Sequence, residues 1–146
     1  MIETQHFIFE QVQVSHFPLV KNFYKAANYF SQVSKKDEVY ILRDSTQNNS
    51  IIAAVRLVKT ADYLILRSMV VLPERQRQGI GHFFLENLKP HLGRRNCWCF
   101  PFKWLETYYA SIGFQTCLPE EAPILIRNKF LQYSEQGRKI LIMGYP

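Results

Sequence analysis

The chain has 146 residues, 47% of them hydrophobic, and a formal net charge of +6. This length suits one domain with one hydrophobic core and leaves no room for a second catalytic domain. The sequence lacks both the roughly 20-residue apolar run of a membrane-spanning helix and the basic start and apolar core of a signal peptide. We therefore expect a single cytoplasmic domain over residues 1–146 that does not contact the membrane.

The positive charge favours a polyanionic partner, which charge alone does not identify. Nucleic acid is one candidate, but the sequence contains no nucleic-acid motif and no long block of like charges. The three cysteines Cys97, Cys99 and Cys117 have no matching cysteine or histidine pair at zinc-ligand spacing. An odd number of cysteines without secretory context predicts reduced thiols. We therefore expect no nucleic-acid partner and no metal site.

The first half of the chain predicts a strand, a helix and three further strands. Residues 6–13 have the composition of a first strand. Six apolar residues then recur at helical spacing: Phe17, Val20, Phe23, Tyr24, Ala27 and Phe30. Residues 38–43 and 51–59 are rich in β-branched side chains and flank a polar turn, which predicts an antiparallel hairpin. Residues 63–72 are almost entirely apolar, so we expect this strand in mid-sheet with both faces covered.

The second half of the chain alternates helices and strands. A helix begins near Gly79, and its apolar face comprises Ile80, Phe83, Phe84, Leu88 and Leu92. Five shorter elements follow, alternately strand and helix: residues 96–100, 102–111, 113–118, 119–133 and 138–145. The order of elements over the whole chain predicts a mixed α/β sheet.

The most informative stretch, residues 70–81, runs from the buried strand through a tight loop into the helix. The first N–H groups of a helix lack intrahelical partners, and the helix dipole adds partial positive charge there. Gly79 and Gly81 let the backbone approach a phosphate closely. Arg75 and Arg77 add full charges. This combination predicts a pyrophosphate site, although its spacing differs from those of dinucleotide folds and nucleotide-triphosphate loops.

Two motifs make the chain resemble the GNAT superfamily of acyl-CoA N-acyltransferases. Residues 76–81, Gln-Arg-Gln-Gly-Ile-Gly, match the family signature Gln/Arg-x-x-Gly-x-Gly/Ala, with Val71 and Pro73 at the family offsets before it. Residues 109–114, Tyr-Ala-Ser-Ile-Gly-Phe, match the family's Tyr-x-x-x-Gly-Phe. The resemblance implies a mostly antiparallel sheet with splayed middle strands and flanking helices, with acetyl-CoA as co-substrate and no metal.

The resemblance also implies which residues contact acetyl-CoA. Pantetheine would pair with the backbone of Met69, Val70 and Val71, and the pyrophosphate would bind N–H groups of Gln76, Arg77, Gln78, Gly79, Ile80 and Gly81. The thioester would enter the gap beside the strand formed by residues 96–100. An oxyanion donor would be a backbone N–H at a strand bulge near Val70 or Val71.

Tyr109 is the candidate general acid, because a phenol with a pKa of about 10 stays protonated at neutral pH and can protonate a departing thiolate. The alternative is that Tyr109 only packs its helix, the role we assign to Tyr108. Phe102 stands where many family members have asparagine. No carboxylate is prominent as a general base, and Glu74 and Glu106 are interpreted as solvated surface charges.

Arg67 interrupts the apolar strand, so it needs an ion-pair partner, solvent or a ligand, and it is a candidate to bind an acceptor carboxylate or phosphate. Arg56 raises the same question. We expect an N-acetyltransferase acting on a primary amine of a small molecule or a protein, with a monomer and a homodimer both open. The alternative is a catalytically silent CoA-binding sensor or partner module.

Overall fold

One mixed sheet organises the computed structural model, which describes residues 2–146. Its strands are β1 (Phe7–Val12), β2 (Glu38–Asp44), β3 (Ser50–Thr60), β4 (Tyr63–Val71), β5 (Cys97–Cys99), β6 (Gln115–Cys117) and β7 (Ile142–Tyr145). The helices are α1 (Phe17–Ala26), α2 (Ile80–Leu88), α3 (Glu106–Ala110) and α4 (Ile124–Glu135). Their order along the chain is the order that the sequence predicts.

The sheet order is β1-β2-β3-β4-β5-β7-β6, with antiparallel neighbours except at β4 and β5. These two strands run parallel and pair only at Leu64 with Cys97 and at Ile65 with Trp98. From Leu66 onward β4 has no partner on the edge that faces β5, because β5 diverges and pairs with β7 instead. This arrangement confirms the predicted mostly antiparallel sheet with splayed middle strands.

Alternation along the strands divides the core between the two faces of the sheet. Tyr40 and Leu42 pack in one cluster with residues of α2 and α3, such as Phe84. Val39 and Ile41 point the other way and pack against α1. Each fully buried large apolar side chain of this kind contributes about 1.5–3 kcal/mol relative to an exposed one. Both faces of the sheet are therefore covered by helices.

The structure corrects the predicted helical face of α1. Phe17, Val20, Phe23 and Tyr24 are buried as predicted, but α1 ends at Ala26 and Phe30 lies beyond it with 86% of its surface exposed. Asn28, with φ of +56°, takes the left-handed conformation just past the helix end. The helix predicted from the periodicity was therefore one turn too long.

Two other predicted helices begin later than the sequence indicates. The segment 102–111 opens with a 3-10 turn, Lys103–Leu105, before α3. The segment 119–133 opens with a 3-10 turn, Pro119–Glu121, and α4 starts only after Pro123. Ala122 is extended, with φ of −87° and ψ of 154°, because a residue before proline disfavours helical geometry. No helix within residues 2–146 is long and apolar enough to span a bilayer.

The burial of β4 also differs from the prediction. The strand lies in mid-sheet as expected, and Leu64, Ile65 and Leu66 are buried. The following residues, 67–71, are only half-buried. Their change in burial coincides with the point at which β5 leaves β4, so this half-buried stretch of strand borders a gap in the sheet.

Candidate active site

The gap between β4 and β5 contains a cavity of about 240 Å³. Leu66, Arg67, Ser68 and Met69 supply its β4 side, and residues 99–102 supply the side of β5 and the turn after it. Tyr109 of α3, Tyr133 of α4, and Tyr29 and Arg138 from connecting segments complete the polar part of the wall. The predicted catalytic tyrosine and the predicted acceptor arginine therefore line one cavity together with Met69, whereas Val70 and Val71 lie outside its lining.

A β-bulge shapes the β4 wall of the cavity. Ala54 pairs with Val70 whereas Arg56 pairs with Arg67, so two β4 residues, Ser68 and Met69, oppose Val55. The bulge thus lies one to two residues before the predicted position near Val70 or Val71. Ser68 has a left-handed φ of +56°, which is strained for a residue with a side chain.

Three side chains hold Ser68 in this conformation. The Tyr24 hydroxyl donates a hydrogen bond to the Ser68 carbonyl oxygen at 2.7 Å. The Ser31 hydroxyl lies 3.0 Å from the Ser68 hydroxyl, and the Arg56 Nε donates to that hydroxyl at 3.2 Å. The bulge is consequently anchored from α1 and the segment after it, on the face opposite the α2 cluster.

The loop between β4 and α2 presents backbone N–H groups, as the sequence predicts. The first helical hydrogen bond of α2 runs from the Phe83 N–H to the Gly79 carbonyl, and the N–H groups of residues 77–81 have no partner within residues 2–146. Arg77 (φ +64°) and Gly79 (φ +83°) both adopt the left-handed conformation. Such consecutive free N–H groups at a helix start form an anion-binding surface.

The side chains around this loop refine the predicted site. The Gln76 side-chain amide donates to the Val71 carbonyl at 3.0 Å, which ties the loop to the end of β4. Arg77 is exposed and free to meet an anion. Arg75 was expected to add a full charge, but it forms an ion pair with buried Asp44 at 3.0 Å. That carboxylate neutralises Arg75, so Arg77 supplies the charge at the loop.

Gly81 is constrained by packing against Tyr108. A β-carbon at this position would lie 2.1 Å from the Tyr108 hydroxyl and 3.1 Å from the adjacent ring carbon. Tyr108 is half-buried beside the α2 cluster, on a different side of α3 from the cavity-lining Tyr109. This position agrees with the packing role that the sequence analysis assigns to Tyr108.

Tyr109 lies with its ring in the core and its hydroxyl at the cavity. Only 7% of its surface is exposed, and its ring packs edge-on against Phe114. The hydroxyl has no hydrogen-bond partner in the described chain. Every fully buried side-chain oxygen or nitrogen of the described residues does have a partner, so the Tyr109 hydroxyl is not fully buried and is reached from the cavity. Burial raises the pKa of Tyr109 well above its usual value and keeps the hydroxyl protonated at neutral pH.

No acidic side chain of the described chain lines the cavity. Glu74 is exposed, and Glu106 is an exposed acceptor of a hydrogen bond from the Thr116 hydroxyl, as expected of surface charges. Phe102 is stacked on Trp104 with ring centres 4.7 Å apart, so it offers no polar group in place of the family asparagine. Residues 2–146 contain no cluster of His, Cys, Asp or Glu that could hold a metal ion.

The three thiols are free, and Cys99 lines the cavity. Burial raises the pKa of Cys99 well above that of an ordinary thiol, and it raises the pKa of Cys97 to about 12. Both therefore remain protonated at neutral pH, and a neutral thiol is a poor nucleophile.

Arg56 and Arg67 are register partners on adjacent strands, but their environments differ. Arg56 is buried and pairs with Asp37 at 2.7 Å, so it has a structural ion pair. Arg67 lies over the Tyr133 ring, 5.4 Å from its centre, and has no carboxylate within 4.0 Å in the described chain. Arg138 meets the same ring at 5.1 Å. The sequence analysis did not single out Arg138, since no local motif marks this residue.

The family model of the GNAT acetyltransferase domain matches residues 35–116, which is more than half of the chain. The chain belongs to the GNAT acetyltransferase family. Members of this family are acyl-CoA-dependent N-acyltransferases, and a solved structure that shares the fold is complexed with coenzyme A. A search among curated proteins finds no match.

Solved GNAT structures share the fold at low sequence identity. N-acetylglutamate synthase from Neisseria gonorrhoeae, complexed with coenzyme A and N-acetyl-glutamate, has 17% identity and a TM-score of 0.66 over 98% of this chain. This chain spans only 35% of that synthase. The ribosomal-protein-S18-alanine N-acetyltransferase from Escherichia coli has 21% identity and a TM-score of 0.64, over 96% of this chain and 93% of its own.

Proposed function

We propose that this GNAT protein transfers an acetyl group from acetyl-CoA to a primary amine of a small molecule or a protein by direct attack on the thioester. The observation that carries this proposal is the Tyr109 hydroxyl, which faces the cavity in the gap between β4 and β5. The unpaired edge of β4 leads from that cavity to the loop with free N–H groups. A donor molecule can therefore extend from the loop to the tyrosine.

Acetyl-CoA would lie along this path in two parts. Its pyrophosphate binds the N–H groups of Arg77, Gln78, Gly79, Ile80 and Gly81. The predicted contact with the Gln76 N–H is dropped, because that group donates to the Pro73 carbonyl at 3.4 Å. Its pantetheine arm pairs with the backbone of Met69, Val70 and Val71, which lies on the β4 edge that β5 leaves open. The thioester then reaches the bulge at Ser68 and Met69, where a backbone N–H polarises the carbonyl.

The reaction exchanges one bond at the carbonyl carbon for another. The neutral amine forms the new C–N bond, the carbonyl oxygen takes up negative charge, and the C–S bond then breaks. The departing CoA thiolate receives the Tyr109 proton, and the nitrogen loses its extra proton to water. Water is the proton acceptor because no carboxylate of the described residues lines the cavity. Tyr109 regains its proton from solvent before the next turnover.

The protonated state of Cys99 supports direct attack over an acyl-enzyme. Cys99 is the cavity-lining thiol in residues 2–146, and burial raises its pKa. A covalent route needs a thiolate nucleophile, which this environment disfavours.

Acetyl-CoA with a broad panel of amines, followed by release of free CoA thiol, tests the proposal. We expect Tyr109→Phe to lower turnover by about 10²-fold or more while CoA affinity in calorimetry is unchanged, because only the proton donor is lost. Tyr145→Phe is the matched control, since the Tyr145 ring also packs edge-on against Phe114 but does not line the cavity. Its turnover should stay within about twofold of the parent.

The alternative, a silent CoA-binding module, predicts tight CoA binding without turnover on any amine. Phe102 in place of the family asparagine is the observation that favours it. Thiol release that depends on both an amine and Tyr109 would exclude the silent module. Unchanged turnover in Tyr109→Phe would instead remove Tyr109 from the role of acid.

A further inference from the structure

Two arginines and one tyrosine form one end of the cavity. Arg67 projects from β4 before the bulge, and Arg138 lies in the segment between α4 and β7. Their guanidinium carbons lie 5.4 Å and 5.1 Å from the centre of the Tyr133 ring. We call Arg67 and Arg138 the arginine pair. Because Tyr133 also packs edge-on against Phe100, its ring provides a fixed support for both charges.

The arginine pair lacks the acidic partners that four other arginines of this chain have. Arg43, Arg56, Arg75 and Arg95 each form an ion pair with Asp or Glu. Neither member of the arginine pair has a carboxylate within 4.0 Å anywhere in residues 2–146. This includes Glu135, which stands three positions before Arg138. The cavity end therefore carries two positive charges that the described side chains do not neutralise.

Both guanidinium groups line one cavity, where water is partly excluded and like charges are screened less than in bulk solvent. A carboxylate bound in the cavity would offset these charges, because guanidinium N–H groups match its two oxygens. Arg67 is half-buried and lines the cavity, so a ligand in the cavity can reach it. The cavity of about 240 Å³ is small, which limits such a ligand to a few carbons beyond its reacting group.

We propose that the acetyl acceptor is a small amine bearing a carboxylate, and that Arg67 and Arg138 bind this carboxylate while the amine faces the thioester. The inference rests on the proposed acetyl transfer. Arg67 lies two residues from Met69, a separation of roughly 7 Å along a strand. Amine and carboxylate must therefore be only a few bonds apart, as they are in an amino acid.

Matched substrate pairs test the carboxylate requirement. Each amino acid of a broad panel is compared with its own primary amide in the acetyl-CoA assay. The amide has a less basic amine, so more of it is neutral at a given pH, and ionisation of the amine favours the amide. We nevertheless expect at least one acid to exceed its amide by about tenfold or more in kcat/KM, because the amide cannot pair with two guanidinium groups.

Variants connect this preference to the arginine pair. Arg67→Gln and Arg138→Gln should each raise the KM for the preferred acid by about 10- to 100-fold, leaving kcat, the KM for acetyl-CoA and the rate on the amide close to the parent values. Lys139→Gln is the matched control, since it removes an exposed positive charge next to Arg138 that is outside the cavity lining. Because Arg138 is exposed, its substitution tests the inference even if Arg67→Gln fails to fold.

Three results would overturn the inference while leaving acetyl transfer intact. These are equal rates on acids and amides, an aminophosphonate that outcompetes every amino acid, and activity confined to protein or peptide amines. Calorimetry of the N-acetylated acid in the presence of CoA separates the two proposals. If the N-acetylated acid binds to the parent but not to Arg138→Gln, and no amine is turned over, the result would support the anion site and contradict the proposed acetyl transfer.

Discussion

The loop around Gly79 and the arginine pair differ in the chemical groups that they present. At the loop around Gly79 most of the available polar groups are backbone N–H groups, those of residues 77–81, and the exposed Arg77 side chain adds one charge. At the opposite end they are the side chains of Arg67 and Arg138, supported by Tyr133. Backbone groups recognise a feature common to all acyl-CoA donors, whereas side chains can differ between relatives. Under the proposed function, the loop is thus the donor end, suited to a constant ligand, and the arginine pair is the acceptor end, suited to a variable one.

This contrast predicts that changes in backbone shape damage the donor end and leave acceptor discrimination unaffected. The largest expected effect is that of Gly81→Ala, because the new β-carbon would lie 2.1 Å from the Tyr108 hydroxyl. Overpacking of this kind costs about 1–3 kcal/mol. Chemical denaturation should show the loss, and CoA affinity should fall with it.

Tyr108→Phe combined with Gly81→Ala sharpens the same test. Removing the hydroxyl relieves the shortest contact but leaves a ring carbon at 3.1 Å, so most of the stability should return, though not all. If Gly81→Ala is as stable as the parent and binds CoA normally, the packing account of Gly81 is wrong.

Gly79→Ala is the next prediction, and the chain supplies a matched control. Gly79 has φ of +83° and Gly137 has φ of +84°, so alanine should cost each about 1–2 kcal/mol of stability. Only Gly79 lies in the loop, and we expect its variant alone to lose about tenfold in CoA affinity by calorimetry. An equal loss of affinity in Gly137→Ala would mean that the effect is global rather than local to the loop.

The smallest expected effect belongs to a side chain at the donor end. Arg77 and Arg94 are both exposed with left-handed φ, +64° and +60°, but Arg94 lies in the turn before β5, at the other end of β4 from the loop. Arg77→Gln should weaken CoA binding about threefold at low salt and less at high salt, since exposed charges are screened. Arg94→Gln should have no effect. A loss near 100-fold in Arg77→Gln would break the contrast, because a side chain would then dominate at the donor end.

Much of the fold was predictable from local patterns. The order of strands and helices, the mid-sheet position of β4 and its separation from β5 all agree with the sequence analysis. The errors concern features that depend on distant neighbours or on single residues. Phe30 fits the helical periodicity, but α1 ends at Ala26, and Pro123 delays the start of α4. The bulge lies at Ser68 because Tyr24, Ser31 and Arg56 hold it there.

The residues of the candidate site also differ in whether the sequence alone could identify them. The donor loop and Tyr109 were identified from residues adjacent in the sequence, and their roles stay predictions. The charge of Arg75 was misjudged and the partner of Arg56 was left open. Only the tertiary structure places Asp44 against Arg75 and Asp37 against Arg56. An ion pair between residues far apart in the chain has no local sequence signal.

By itself, the sequence determined the glycine loop, the tyrosine motif and the alternation that builds the sheet. These features depend on backbone conformation and on periodicity, both of which involve residues a few positions apart. Only the tertiary structure decided which arginine lacks a partner and which residues meet across the cavity. Arg67, Tyr133 and Arg138 come together because β5 leaves β4 and α4 closes over the gap, a geometry to which the whole sheet contributes.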